Sequence, residues 1–170
     1  MNGVLEDLGG RWRLRFTREL AHPPEKVWRA ITEPDHLAAW FPQRISGDWV
    51  VGGRLVFSSP EGRGPDFEGE VLAYDPPSAL EFTWGTDVIR LELVPSPAGC
   101  TITLLDTFSE PGKAARDAAG WDECFDRLAR HLDGVQQRPA GQRWAEVHPG
   151  YVQLFGPRAA TIGPPPGYGG

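Results

Sequence analysis

The chain has 170 residues, of which 40% are hydrophobic, and its formal net charge is -6 at pH 7. This length and apolar content suit one domain with its own core and an appendage. The negative charge argues against a nucleic-acid-binding surface and against attraction to an anionic membrane. The N-terminus is too polar and acidic for a secretory signal, and no apolar run approaches the roughly 20 residues of a membrane span. We therefore expect a cytoplasmic protein.

The two cysteines, Cys100 and Cys124, lie in apolar stretches and show no CxxC spacing. A pair of this kind does not resemble a disulfide framework. We expect two buried, reduced thiols.

The chain begins with an arm over residues 1–10, followed by a strand and two short helices. Strict alternation in WRLRFTREL (12–20) predicts a half-buried strand, with Arg18 in its inward register. In the next segment, Val27 and Ile31 are spaced for the buried stripe of a first short helix. Thr32 is expected to cap a second helix, after which Leu37, Trp40 and Phe41 fall on one side.

The middle of the chain predicts an antiparallel meander. Short segments with period-two alternation are separated by turn residues, and the connections are short enough for hairpins. The predicted strands lie at 44–51, 52–59, 66–75, 79–85, 87–96 and 99–108.

The period then changes to 3.6 between Lys113 and Asp133. Apolar residues line one face of a long amphipathic helix, and Gly134 stands where a C-terminal cap is expected. Two i,i+4 pairs, Glu123 with Arg127 and Asp126 with Arg130, are expected on its exposed side. This order of elements belongs to the α+β class.

Residues 135–170 form a tail that begins polar and ends PPPGYGG, an end expected to be disordered. Between these parts, apolar residues recur at helical spacing over about 142–156, and Pro149 with Gly150 is expected to interrupt that helix. The apolar residues are expected to dock either on the domain or on a second copy, which would make a homodimer through the tail.

Four stretches together resemble one family: VWRAITEPDHLAAWF, the G-G-x-L-x-F strand at 52–57, EGEVLAYDPPSALEFTW, and GWDECFDRLARHLDG. They are similar to the START-like (SRPBCC) superfamily, in the branch related to the activator of the 90-kDa heat-shock-protein ATPase. The resemblance covers roughly residues 11 to 134. The segment from Trp144 to Thr161 also resembles the tail of many bacterial members.

The resemblance implies a helix-grip (Bet v-like) fold, in which a curved antiparallel sheet holds a long C-terminal helix with a cavity between them. Superfamily members bind lipids, hormones or polyketides there, and some are cyclases or hydroxylase components. Where relatives often carry a histidine late in the last strand, this chain has Asp106.

Asp106 shares its predicted strand face with Ile102 and Leu104, so its carboxylate points to the core side. Because a bare buried carboxylate is costly, it needs a partner or a wet cavity. One interpretation is a structural ion pair with Arg18. The other is that Arg18 and Asp106, with Tyr74, are polar anchors for a ligand at the cavity mouth.

An aromatic set is large enough to pack the core and also to line an apolar pocket. Core packing is the default for each ring taken alone. The candidate lining residues are Trp28, Trp40, Phe41, Phe57, Phe82, Trp84, Leu104, Asp106, Trp121 and Phe125.

Metal and covalent chemistry find little support. Asp35 and His36 diverge by about 100 degrees on a helix, so they do not converge on one ligand. The other histidines lack ligand spacing, and His36 is expected to be exposed.

The outward arginines Arg11, Arg13 and Arg15 are expected to pair with Glu68, Glu70, Glu81 and Glu92 on other strands.

The leading hypothesis is a binding protein for a small hydrophobic molecule, with no cofactor, no metal and no clear catalytic apparatus. Two alternatives remain open. One is a stress-response protein that interacts with a chaperone through its surface. The other is a cyclase- or hydrolase-like enzyme that uses Asp106 as general base, which requires an open cavity and a raised pKa.

Overall fold

The structure is a computed structural model that describes residues 1–62 and 64–164. Its eight strands form one curved antiparallel sheet, in the order β1-β2-β8-β7-β6-β5-β4-β3. The strands are β1 (Gly3–Asp7), β2 (Trp12–Leu20), β3 (Arg44–Gly47), β4 (Arg54–Ser58), β5 (Phe67–Asp75), β6 (Ala79–Trp84), β7 (Asp87–Ser96) and β8 (Gly99–Phe108). The helices are α1 (Pro24–Thr32), α2 (Pro34–Leu37), α3 (Ala114–Asp133) and α4 (Gln142–Phe155).

The helix-grip fold and the α+β class are confirmed. Strands β3 to β8 follow one another as a meander, and β2 pairs with β8 at the far side. The first ten residues contain β1, which pairs with β2 at the sheet edge. The predicted disorder of the Pro/Gly-rich end falls mainly on residues 165–170, which lie outside the described residues.

The alternation of buried and less buried residues along each strand determines which side chains form the inner face of the sheet. Every second residue of β8 from Cys100 to Phe108 is fully buried, and β7 shows the same pattern from Asp87 to Leu93. The residues predicted to form the apolar stripe of α3, among them Trp121 and Phe125, are buried against this face. Both cysteines are buried and free, as expected.

The junction between the two short helices differs from the prediction. Thr32 is the last residue of α1, and its hydroxyl donates a 2.7 Å hydrogen bond to the carbonyl of Trp28. Because this local bond engages the side chain, it does not cap α2, which begins after Glu33 without a side-chain cap. The predicted Thr32 cap is therefore wrong.

The tail docks on its own domain through α4. Trp144, Val147 and Tyr151 are buried, and α4 packs along α3. The helix is continuous through Pro149, so the predicted interruption is wrong. A proline inside a helix costs about 3 kcal/mol, and the packing of α4 against α3 offsets that cost.

Glu123 on α3 has a different partner from the one predicted. Its carboxylate is buried and accepts hydrogen bonds from the backbone N–H groups of Gly141, at 2.9 Å, and Trp144, at 3.0 Å. It therefore caps the first turn of α4. Its expected partner Arg127 instead donates to the carbonyl of Ala39, whereas the predicted pair of Asp126 and Arg130 forms at 3.0 Å.

The outward arginines in β2 and just before it have partners on the adjacent strands β1 and β8. Arg15 bonds to Glu6 on β1 at 2.6 Å, and Arg13 lies 3.9 Å from the same carboxylate. Arg11 donates to the carbonyl of Thr107. The predicted acidic partners were wrong, because β1 and not the distant strands β4 to β7 flanks β2 on its open side.

Candidate functional site

Asp106 occupies the inner face of β8 near its end. The alternation of β8 fixes its direction, and its cross-strand neighbours are Leu14 on β2 and Ile89 on β7. All three residues are fully buried. A carboxyl group therefore stands in an apolar layer between the sheet and α3.

The two oxygens of this carboxyl group have different surroundings. Oδ2 accepts a 2.8 Å hydrogen bond from the indole Nε1–H of Trp121 on α3. Oδ1 has no hydrogen-bond partner among the residues that the structure describes. An unsatisfied buried polar atom is uncommon in a native protein, so this one marks a position with a demand for a partner.

A charged cluster lies next to Asp106. Carboxylate oxygens of Asp87, Asp106 and Asp117 come within 4.8 Å of one another. The ammonium of Lys113 bonds to Asp87 and lies 3.3 Å from Asp117, and Arg116 bonds to Asp117 at 2.7 Å. Two cations thus balance the two outer carboxylates.

The pKa of Asp106 is raised from 3.8 to about 7, mainly by burial and then by the negative charge of Asp87. The hydrogen bond from Trp121 opposes the shift. Burial acts to lower the pKa of Lys113, but the carboxylates around it outweigh burial and raise that pKa. The side chain of Asp106 is therefore able to hold a proton near neutral pH while Lys113 stays charged.

The three carboxylates do not resemble a vacant metal site. The ammonium of Lys113 contacts two of them and supplies the positive charge that a bound cation would bring. What the group can do is accept or donate one hydrogen bond through Oδ1 of Asp106, or exchange its proton.

Several predicted lining residues meet beside Asp106. The rings of Phe41, Trp84 and Trp121 contact one another, with centroids 5.5 to 5.9 Å apart. Phe57 and Phe82 extend this aromatic layer from Phe41, and their own ring centroids are 5.9 Å apart. The rings therefore pack on each other in the region where the sequence predicted a cavity.

Trp28 and Phe125 have other ring partners, whereas Trp40 contacts Phe41 of this layer, with ring centroids 5.6 Å apart. Trp28 packs on Tyr74, with ring centroids 5.6 Å apart, and Phe125 packs on Phe16 at 6.1 Å. Trp40 is buried and donates from its indole to the carbonyl of Ala30, while Leu104 is a core residue of β8.

The proposed ion pair between Arg18 and Asp106 is wrong. The register of β2 and β8 places Arg18 opposite Ile102, whereas Leu14 lies opposite Asp106. Arg18 instead donates a 3.2 Å hydrogen bond to the carbonyl of Phe125. Both residues face inward, but at different levels of the sheet.

Sequence reasoning missed Asp87, Lys113 and Asp117 as neighbours of Asp106. A signal for Asp87 was available, because it begins the same inward alternation as Ile89 and Leu91 on β7. Lys113 directly precedes the long helix, and Asp117 lies in its first turn. The sequence does not show that this end of the helix meets β7 and β8.

Two pockets lie elsewhere on the domain, and neither borders Trp121. One, of about 170 Å³, lies between β1, β2 and the tail and is lined by Leu5, Trp12, Pro111, Phe155, Arg158 and Ala159. The other, of about 340 Å³, lies where α1, α2 and the end of α3 meet. There, His36 is half-buried and hydrogen-bonded to His131 at 2.7 Å, so its predicted exposure was only partly correct.

Among the described residues, no helix has the length and apolar character to cross a membrane. Comparison with curated proteins finds no match to this chain.

Solved structures match the fold over most of the chain. A conserved protein of unknown function from Enterococcus faecalis has a TM-score of 0.73 at 20% identity, over 90% of both chains. CalU16 from Micromonospora echinospora has a TM-score of 0.70 at 21% identity, over 91% of this chain and 94% of its own. The protein MLL2253 from Mesorhizobium loti has a TM-score of 0.63 at 28% identity, over 73% of this chain and 98% of its own.

Residues 21–133 match the family described as Activator of Hsp90 ATPase homolog 1-like protein. The match runs from the end of β2 to the end of α3, and so contains the aromatic layer, Asp106 and Trp121. The fold of this family is one that commonly binds hydrophobic ligands. The chain belongs to the Activator of Hsp90 ATPase homolog 1-like family.

Proposed function

We propose that the protein binds a small, largely aromatic molecule between the sheet and α3, and that the molecule carries one hydroxyl or carbonyl oxygen. The apolar part lies among Phe41, Trp84 and Trp121, and the oxygen bonds to Asp106. A pocket that is mainly apolar with one well-placed polar group is the usual form of a small-molecule site.

The observation that carries this proposal is the unpartnered Oδ1 of a fully buried carboxyl group. A protonated Asp106 can donate from Oδ1 to a ligand oxygen, and an ionised Asp106 can accept from a ligand hydroxyl. Either bond would satisfy an atom that otherwise costs about 1 to 3 kcal/mol.

Entry of the ligand requires ring movement, because the three rings contact each other. Trp84 is the half-buried member, held by a 3.0 Å hydrogen bond from its indole to the side chain of Gln43. The ligand would replace ring–ring contacts with ring–ligand contacts, so its own aromatic surface offsets the cost of opening.

A pair of probes that differ by one oxygen tests the polar anchor. Tryptophan fluorescence titration with 1-naphthol and with naphthalene should give saturable binding of both, with 1-naphthol several-fold tighter. Asp106→Leu should remove that preference and leave naphthalene binding intact. The control Asp48→Leu replaces an exposed aspartate after β3 and should keep the preference.

Native mass spectrometry of protein purified from cells provides an independent test. A bound apolar molecule of defined mass, lost on denaturation, supports the proposal. The absence of any carried molecule, together with no saturable binding of either probe, would overturn it.

A second candidate function is the interaction with an Hsp90-type chaperone that the family description names. The filled aromatic layer favours it, as does an apolar pair on the surface: Val50 and Val51, after β3, are 55% and 68% exposed. Stimulation of the chaperone's ATPase, lost in the Val50→Ser, Val51→Ser double variant, would support this function, and no stimulation would exclude it.

A catalytic role for Asp106 meets one of its two conditions. The raised pKa suits a general base or acid near neutral pH. The carboxyl group is fully buried, however, and no open cavity reaches it in the described part of the chain. The proposal is therefore limited to binding.

A further inference from the structure

The pocket at the C-terminal end of α3 is a second candidate site, distinct from Asp106. Its volume is about 340 Å³, and its lining comes from α1, α2, α3 and Gly134, the residue directly after α3. His131 lies ten residues beyond Trp121 on α3, which corresponds to about 15 Å along the helix axis. The lining residues are Lys26, Arg29, Ala30, His36, His131, Leu132 and Gly134.

Every ionisable group that lines this pocket is a cation or becomes one. Lys26 and Arg29 carry fixed charges, and His36 and His131 can each take a proton. Two acids lie nearby. Glu33 bonds to Arg29 at 2.9 Å and lies 3.4 Å from His36, so it offsets part of the positive charge of the lining, whereas Asp133 bonds to His22.

Lys26 has only neutral acceptors within bonding distance in the described structure. Its ammonium donates to the carbonyl of Leu132 at 3.0 Å and lies 3.1 Å from Nδ1 of His22. Gly134 and Val135 donate to the carbonyls of His131 and Arg130, so these two carbonyls at the helix end have backbone donors and do not need Lys26. The charge of Lys26 therefore remains available to an anion in the pocket.

The histidine pair shows the effect of this positive surrounding. His36 and His131 share one hydrogen bond of 2.7 Å. Burial lowers the pKa of His131, and the positive charges of His36 and Lys26 lower it further. An anion placed among these groups would reverse that electrostatic contribution, so binding and histidine protonation would favour one another.

We propose that this pocket binds a small phosphate monoester. A phosphate group near neutral pH carries close to two negative charges and three acceptor oxygens, enough to reach donors on α1, α2 and α3 together. Ala30 and Leu132 provide apolar surface for the organic part. The volume lies at the lower end of the range of small-molecule pockets, which limits the ligand to a compact molecule.

Calorimetric titration with phenyl phosphate tests the site, with phenol and inorganic phosphate as partial ligands. Phenyl phosphate should bind at least ten-fold more tightly than phenol. Lys26→Met, which keeps the apolar stem, and Arg29→Met, whose side chain is 65% exposed and so tolerant of change, should each weaken binding five-fold or more. Arg54→Met removes the same charge on β4, outside the pocket, and should have no effect.

The C2-proton resonances of His36 and His131 give a readout at the site itself. Saturating phenyl phosphate should raise the pKa of at least one of the two histidines, and Lys26→Met should diminish the shift. Binding of phenyl phosphate that Lys26→Met and Arg29→Met both leave unchanged would overturn the proposal. So would an unchanged histidine titration, or weakening by Arg54→Met as strong as by Lys26→Met.

Discussion

The indole N–H of Trp121 on α3 donates a 2.8 Å hydrogen bond to the carboxyl group of Asp106 on β8. Both side chains are buried, and the bond joins the long helix to the sheet. A substitution at either residue therefore affects the other through this hydrogen bond.

Trp121→Phe should raise the pKa of Asp106 above its value of about 7, because the hydrogen bond from Trp121 lowers that pKa. The variant should also lose about 1 to 3 kcal/mol of stability through the second unsatisfied oxygen. Carbon NMR titration of the Asp106 carboxyl group measures the pKa. The control Trp28→Phe changes a tryptophan that packs on Tyr74 and should leave the titration unchanged. A lower pKa in Trp121→Phe would contradict the assigned bond.

The proton of Asp106 should make stability fall with rising pH. The native state holds this proton up to about pH 7, whereas the unfolded state releases it near 3.8. Between these values the native state binds more protons, so the free energy of unfolding decreases as pH rises. At about 1.4 kcal/mol per pKa unit, the free energy of unfolding decreases by roughly 4 kcal/mol across this pH range because of Asp106. Denaturant unfolding of wild type and Asp106→Asn from pH 4 to 8 should show this slope only in wild type. Parallel curves would refute the raised pKa.

Glu123→Ala should loosen the tail. Its carboxylate caps α4 through the N–H groups of Gly141 and Trp144, so its replacement removes a buried acceptor that both donors use. We expect faster amide exchange throughout α4, equivalent to about 1 to 3 kcal/mol. Asp133→Ala removes an acid at the other end of α3, where it bonds to His22, and serves as the control. Equal protection of α4 in both variants would argue against the cap.

The thiols should be unreactive in the folded protein. Burial raises the pKa of Cys124 to about 12, and it also raises the pKa of Cys100. Because the thiolate is the reactive form, a thiol reagent such as DTNB should modify both residues only as fast as the protein unfolds. Reaction rates that follow the unfolding transition in denaturant would confirm this. Fast modification at neutral pH without denaturant would show that at least one thiol is accessible.

Local spacing was sufficient to predict the strands of the meander and the long helix. The strands at 87–96 and 99–108 appear at their predicted bounds, because alternation over ten residues leaves little freedom in the choice of face. The inward position of Asp106 followed from the same pattern. Prediction failed for Thr32 and Pro149, where a local bond and packing against α3 outweighed the usual preferences.

The sequence by itself determined which residues face inward, since the periods of 2 and 3.6 are properties of each element alone. Only the tertiary structure decided which inward residues meet. The contacts of Asp106 with Trp121 and of His36 with His131 depend on strand register and on where α3 crosses the sheet. These quantities arise from packing between elements far apart in the chain, so no local pattern encodes them.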